Sequence, residues 1–287
     1  MKNSAKLRQL IARQEIVVLP GAADALTARI IERCGFEALY VTGAGVSYSL
    51  LARPDVGLVT MTEMARRVAH IAEAVKIPVV ADADTGYGGP LNVARTVREY
   101  ERAGAAGLQL EDQVWPKRCG HLSDKQVVPV EEMVARIKSA LDARTDPDLV
   151  IIARTDARAA LGLAEAIERA NTYAAAGADV IFVEAPQSVE ELRFIASAVD
   201  APLLANMVEG GRTPLLSWKE LEEIGYRMVI YPNSAIRSAA AAVGRVLKVL
   251  REEGTTARCM GEMLLFNELN ELLDLPALLE QEARYAF

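Results

Sequence analysis

Five consecutive residues, Lys117-Arg118-Cys119-Gly120-His121, set a thiol among two cations and an imidazole. Neighbouring positive charge favours the thiolate, and a thiol that ionises near working pH can exchange a proton with a substrate. The run also reads as a solvated basic loop with a chance cysteine, so its surroundings have to decide. Upstream, Asp82-Ala83-Asp84 has the spacing that puts two carboxylates on one side of an extended segment, and Glu111-Asp112 ends the next apolar run. Three carboxylates held together repel unless a cation lies among them. Asp82, Asp84 and Glu111 offer oxygen alone, which selects a hard ion. Mg2+ fits best because it accepts few protein ligands and keeps waters, with Mn2+ as its substitute.

These groups need a scaffold that brings them together. About eight short apolar runs recur, each separated from the next by a stretch of helical periodicity. The strand candidates are Ile16–Leu19, Ala38–Val41, Val79–Ala81, Gly107–Leu110, Leu149–Ala153, Val180–Val183, Pro202–Ala205 and Met228–Ile230. Between them lie helical stretches such as Thr62–Val75, Leu91–Ala103, Val130–Ala143, Leu163–Ala176 and Val189–Val199. Glycine ends two of these helices just before a strand, in Ala103-Gly104 and Ala176-Gly177. This rhythm describes a single (β/α)8 barrel of the TIM type over residues 1–287, for which about 250 residues is typical. A doubly wound sheet is the alternative, but Tyr48 stands where a dinucleotide fingerprint would need its third glycine. Two further helices, Asn233–Arg251 and Arg258–Leu273, exceed what a barrel needs, and residues 255–287 are expected to form an extension that packs on a neighbouring subunit.

A barrel places the residues after each strand on its catalytic face. Thr42 follows the second strand, Asp82 and Asp84 the third, Glu111 the fourth, Arg154 the fifth, Glu184 the sixth and Asn206 the seventh. Arg154 supplies a fork for a carboxylate, and the hydroxyl of Thr42 with the amides of Gly43 and Ala44 offers donors to another anionic oxygen. The expected ligand is a small polycarboxylate. His70 reads as surface or core, Cys34 and Cys259 as packing, and Trp115 as either a loop wedge or a pocket wall. No lysine falls at a strand end, which disfavours a Schiff-base aldolase.

Bulk properties agree with a small-molecule enzyme. In 287 residues, 32 Lys and Arg against 39 Asp and Glu leave a net charge of −7, which disfavours nucleic acid and anionic membranes as partners. No run resembles a membrane span, Met1–Gln14 lacks a signal-peptide core, and three widely spaced cysteines suit neither a disulfide framework nor a zinc site, so a cytoplasmic protein with reduced thiols is expected.

Together, Asp82-Ala83-Asp84-Thr85-Gly86-Tyr87-Gly88, Glu111-Asp112-Gln113, Lys117 to His121 and Ile152-Ala153-Arg154-Thr155-Asp156 resemble the isocitrate lyase/phosphoenolpyruvate mutase superfamily along essentially the whole chain. That resemblance implies an α/β barrel, Mg2+, and a homotetramer of dimers that swap a C-terminal helix. The Lys-Arg-Cys-Gly-His loop marks its carbon–carbon lyase branch and argues against phosphorus chemistry. The small lyases of that branch act on 2-methylisocitrate, 2,3-dimethylmalate or oxaloacetate. Leu122 and the turn Glu209-Gly210-Gly211-Arg212-Thr213-Pro214 resemble the dimethylmalate and petal-death-type group, with 2-methylisocitrate cleavage as the alternative and oxaloacetate or phosphonate hydrolysis as a further one.

By the same resemblance, Asp82 anchors Mg2+, with Asp84 and Glu111 acting through waters. Tyr40 or a metal-linked carboxylate takes the substrate's hydroxyl proton, and Cys119 protonates the departing enolate. His121 and Glu184 orient the loop, Arg154 and the Thr42–Ala44 turn hold the oxo-acid half, and Asn206, Thr213, Pro232 and Ser234 shape the other end. Lys117 to His121, Gly120 included, form a lid.

Overall fold

Each apolar run becomes a parallel strand because both of its faces find something to bury against. The structure is a computed structural model that describes residues 1–118, 120 and 125–285. Its strands are β1 (Val17–Ala22), β2 (Leu39–Val41), β3 (Val79–Asp82), β4 (Gly107–Glu111), β5 (Val150–Thr155), β6 (Val180–Val183), β7 (Leu203–Asn206) and β8 (Met228–Tyr231). They pair in sequence order, and β8 closes on β1 with Val17 opposite Met228, so the sheet is a (β/α)8 barrel and the doubly wound alternative falls. Strands β3 and β5 are buried at every residue, as parallel strands covered on both faces must be.

Alternation sorts the side chains into two layers. Val79, Ala81, Leu108, Leu110, Ile151 and Ala153 face outward into the layer shared with the helices. Val80, Ile152, Phe182, Leu204 and Ile230 face inward and fill the barrel. Each fully buried aliphatic contributes about 1.5–3 kcal/mol relative to an exposed one, so both layers hold the strands in register.

The helices are α1 (Asn3–Ala12), α2 (Ala25–Arg33), α3 (Gly43–Leu51), α4 (Met61–Ala74), α5 (Pro90–Arg102), α6 (Val130–Ala143), α7 (Ala157–Ala160), α8 (Leu163–Ala175), α9 (Val189–Ala198), α10 (Trp218–Ile224) and α11 (Ser234–Glu253). Gly104 and Gly177, at φ 90° and 104°, end α5 and α8 in the left-handed conformation that glycine adopts without strain. Leu7 and Leu10 of α1 pack into the inner layer and stop the barrel at the amino ends of the strands. The opposite mouth is left for chemistry.

Beyond α11 the chain departs from one expectation. Instead of a single helix over 258–273, a 3-10 turn (Ala257–Glu262) precedes α12 (Phe266–Leu272) and α13 (Leu275–Ala283). The break falls where Met263 and Leu265 are extended and where Asp274 turns left-handed at φ 58°. Phe266, Leu278 and Leu279 on these helices are exposed. Among the described residues, no helix is long and apolar enough to cross a membrane.

Candidate active site

At the carboxyl ends of the strands the inward column, apolar but for Gln109, turns to acids, Arg154 and Asn206. Two residues beyond Val80, Gln109, Ile152, Phe182 and Leu204 come Asp82, Glu111, Arg154, Glu184 and Asn206, and these five line one cavity of about 40 Å3. Tyr40, Thr42, Ala44, Lys117, Gly120 and Pro232 complete the expected part of its wall. That volume holds a few waters.

Four expected residues are not part of the cavity lining. A methyl group on Gly43 would come within 2.7 Å of Asp82 Oδ2, so glycine is what lets the Thr42 turn approach that carboxylate. Asp84 is buried behind Lys117 and donates its backbone N–H to Asp82 Oδ1 at 3.1 Å. Thr213 is buried, with no hydrogen-bond partner for its hydroxyl among the described residues. Ser234 donates its hydroxyl to the Glu209 carboxylate, away from the cavity. Cys119, His121 and Leu122 lie outside the described residues.

Thr42 is used differently from its expected part. Its Oγ1 caps α3 by accepting from Gly45 N at 3.2 Å, and its hydrogen points to Asn233 Oδ1 at 3.3 Å. The donors left at this turn are the first-turn amides of α3, which have no intrahelical acceptor.

Lys117 organises the acidic wall. Its Nζ lies 2.6 Å from Asp55 Oδ1 and 2.7 Å from Asp84 Oδ1, in a region where Asp82 and Glu111 are also buried. Burial works against the ammonium, but Asp84 and Asp55 outweigh it and hold Lys117 protonated well above the ordinary lysine range. Burial, opposed by Lys117 and reinforced by Asp82, pushes Asp84 up to about 7. Glu111 is also driven well above the usual carboxylate range by burial, against the pull of Arg154. Burial and the nearby Asp82 raise the Tyr40 phenol.

The opposite wall is built round Arg154. Its Nε and Nη2 donate to Asp156 at 2.9 and 3.0 Å, and the guanidinium lies 3.4 Å from Glu111 and 3.5 Å from Glu184. The ring of Phe182 lies beneath it, 5.2 Å from its central carbon. Burial disfavours the Asp156 anion, yet Arg154 and Lys125 hold its pKa down to about 2. Asn206 Nδ2 donates to Glu184 at 3.2 Å and so fixes that carboxylate on the far side.

The residues present fit a hard divalent ion. Their donors are carboxylate oxygens, and Glu111 Oε1 has no hydrogen-bond partner among the described residues. No three His, Cys, Asp or Glu side chains among the described residues stand close enough to hold a metal together. Mg2+ asks for no such group, since it takes one or two carboxylates and fills its octahedron with waters.

Arg118, within the expected loop, also lines the cavity, while sequence reasoning missed Asp55, Val208, Ile230 and Asn233. Asn233 could have been found, because it follows β8 as the other site residues follow their strands. Asp55 could not be found that way, since it sits in the loop after α3. The backbone of Arg118 is gripped at both ends by the Gln113 amide, which donates to its carbonyl at 2.9 Å and accepts its N–H at 3.0 Å. The two readings of Trp115 separate here. Its ring lies against Gly57, where a methyl group would meet it at 3.1 Å, and it does not line the cavity.

The chain matches the phosphoenolpyruvate phosphomutase family over residues 7–251. It is 51% identical over 286 residues to the 2,3-dimethylmalate lyase of Eubacterium barkeri, covering 100% of this chain and 99% of that one. It is 47% identical to the 2-methylisocitrate lyase of Aeropyrum pernix, covering 93% and 86%. Among solved structures it resembles oxaloacetate acetylhydrolase in complex with 3,3-difluorooxalacetate, at a TM-score of 0.94 and 39% identity over 99% of this chain and 97% of that one. It also resembles phosphonopyruvate hydrolase with oxalate and Mg++, at a TM-score of 0.90 and 31% identity over 99% of each chain.

Proposed function

The chain belongs to the phosphoenolpyruvate mutase/isocitrate lyase superfamily, and from that premise we propose that it is a Mg2+-dependent carbon–carbon lyase that cleaves a 2-hydroxy dicarboxylate of the 2,3-dimethylmalate type. One observation carries the reading: a guanidinium fixed by Asp156 faces an excess of buried carboxylates across a single cavity. A dicarboxylate and a divalent cation would complete that pattern from outside.

Asp82 would hold the ion, with Asp84 and Glu111 acting through waters. When bound there, Mg2+ supplies the positive charge that acidifies a neighbouring 2-hydroxyl. Arg154 and the first-turn amides of α3 at Gly43 and Ala44 bind the half that becomes the 2-oxo acid. Tyr40, or a carboxylate of the cluster, takes the hydroxyl proton. Cleavage of C2–C3 leaves pyruvate and an enolate of the second acid, and Cys119 returns a proton to that carbon. Net, 2,3-dimethylmalate gives pyruvate and propionate. Glu184 and His121 orient the loop, while Asn206, Thr213, Pro232 and Ser234 shape the end that receives the second acid. Lys117 and Gly120 line the cavity, and with the rest of Lys117 to His121 they would act as a lid over the bound substrate.

The 51% identity along the full chain to a 2,3-dimethylmalate lyase, against 47% over 93% of the chain to a 2-methylisocitrate lyase, supports the dicarboxylate over the tricarboxylate. The discriminating experiment presents 2,3-dimethylmalate, 2-methylisocitrate, isocitrate and oxaloacetate to the purified chain, with oxo-acid release followed by a coupled dehydrogenase. The highest kcat/KM is expected for 2,3-dimethylmalate, and a clear preference for any other substrate would replace this reading.

We place the enzyme in the cytoplasm as a homotetramer whose residues 255–287 pack on a neighbouring subunit. The exposed Phe266, Leu278 and Leu279 support that packing. A fully active monomer in sedimentation measurements would refute it.

A further inference from the structure

One buried acid joins two parts of the cavity wall that are far apart in sequence. Asp156, at the end of β5, receives Arg154 through two parallel bonds, and its Oδ1 also accepts from Lys125 Nζ at 2.5 Å. Lys125 Nζ donates again, to the carbonyl of Gly120 at 2.6 Å. Gly120 in turn presses on the arginine: a methyl group there would come within 2.4 Å of Arg154 Nη2 and 2.7 Å of Glu184 Cδ. Gly120, Lys125, Asp156 and Arg154 therefore form a closed ring of contacts. Asp156 itself is not free to drift. Its N–H is held by Asp112 Oδ1 at 2.9 Å, and Asp112 Oδ2 is fixed by Thr155 and Tyr173 at 2.7 and 2.9 Å.

We propose that Lys125 and Asp156 are positioning residues whose bridge seats Gly120 against Arg154, so that the direction of the guanidinium and the position of Gly120 are set together. The proposal rests on the lyase reading in taking Arg154 as the group that meets a substrate carboxylate. Its physical basis is charge-assisted bonding in a water-poor site, where a lysine shared between a carboxylate and a carbonyl is held firmly. Breaking the bridge at Lys125 frees Gly120 and removes its packing against Arg154, whose guanidinium is then held from the Asp156 side alone. A purely structural ion pair would lower stability when broken but would leave both of those untouched.

The test uses the full chain and three variants, Lys125→Met, Lys125→Arg and Asp156→Asn. Without ligand, trypsin cleavage of the Arg118–Cys119 bond is followed by mass spectrometry. Lys125→Met is expected to be cut about tenfold faster than wild type, the effect of losing one charge-assisted bond, with Lys125→Arg close to wild type. With Mg2+ and oxalate, calorimetry is expected to show about tenfold weaker oxalate binding to Lys125→Met, and kinetics a rise in KM larger than the fall in kcat. Lys125→Met carries the test alone if Asp156→Asn fails to fold. Wild-type cleavage and oxalate affinity in Lys125→Met would overturn the proposal. If oxalate does not bind wild type and no substrate turns over, the lyase reading falls, and the ligand-free cleavage rates still decide whether the bridge seats Gly120.

Discussion

The two ends of the barrel use the same residue types to opposite effect. At the amino ends of the strands, Asp179 is met by Arg8 at 2.9 Å and Arg144 at 3.1 Å and also accepts the N–H of Ile151. Asp146 is paired with Lys2 and accepts the hydroxyl of Ser4. Charge there is balanced and partly in water, and the residues tie α1 to the strands. At the carboxyl ends, Asp55, Asp82, Asp84 and Glu111 are buried together with Lys117 among them, and an oxygen of Glu111 goes unbonded among the described residues. An unbalanced buried cluster costs stability unless something from outside completes it, so function belongs at the end where the ledger of charge stays open.

Substitutions at each end sharpen that contrast. The largest effect is expected from Asp82→Ala, which removes the proposed metal anchor. Turnover with saturating Mg2+ should drop on the order of 10³-fold in the coupled assay. Cys119→Ser removes the proposed acid and is expected to lower kcat by about 10²–10⁴-fold, while calorimetry still detects oxalate binding. Arg154→Lys keeps the charge but loses the fork, and about a 10- to 100-fold loss in kcat/KM is expected. At the closed end the pattern reverses. Asp179→Ala is expected to cost about 1–3 kcal/mol in urea unfolding with kcat and KM unchanged, because it removes partly buried bonds remote from the cavity. A loss of activity without loss of stability there would break the contrast.

The smallest effect concerns Tyr226, which precedes β8 at the same closed end. Burial pushes its phenol above the ordinary range, and its hydroxyl donates to the Leu192 carbonyl at 3.4 Å. A raised folded-state pKa means the native state keeps a proton that the unfolded chain releases. Its contribution is therefore complete below the ordinary phenol pKa of about 10 and declines as pH rises beyond it. Tyr226→Phe is expected to flatten that alkaline loss in unfolding measurements above about pH 10. An unchanged slope would remove Tyr226 from the alkaline response.

Much of this was legible in the residues, for a definable reason. Period-two alternation and strand-end polarity are local signals, and β3, β4 and β5 show how far they reach: Val80 and Asp82, Gln109 and Glu111, and Ile152 and Arg154 each share one face. Asp55 escaped because its place depends on how the loop after α3 brings it to Lys117. Thr42 is legible as a strand-end residue, but its hydrogen bonds with Gly45 and Asn233 follow only from the geometry. The Asp112–Asp156–Lys125 network was invisible for the same reason, as it joins β4, β5 and a loop through side chains alone. The helical character beyond α11 is legible, while the breaks at Leu265 and Asp274 depend on backbone conformation.

The most direct test of the central claim follows 2,3-dimethylmalate by proton NMR in D2O with the purified chain and Mg2+. Equimolar pyruvate and propionate are expected, with one deuterium at C2 of the propionate, and a chelator is expected to stop both from forming. The account is contradicted if neither product appears, if both appear undiminished under chelator, or if the propionate carries no deuterium.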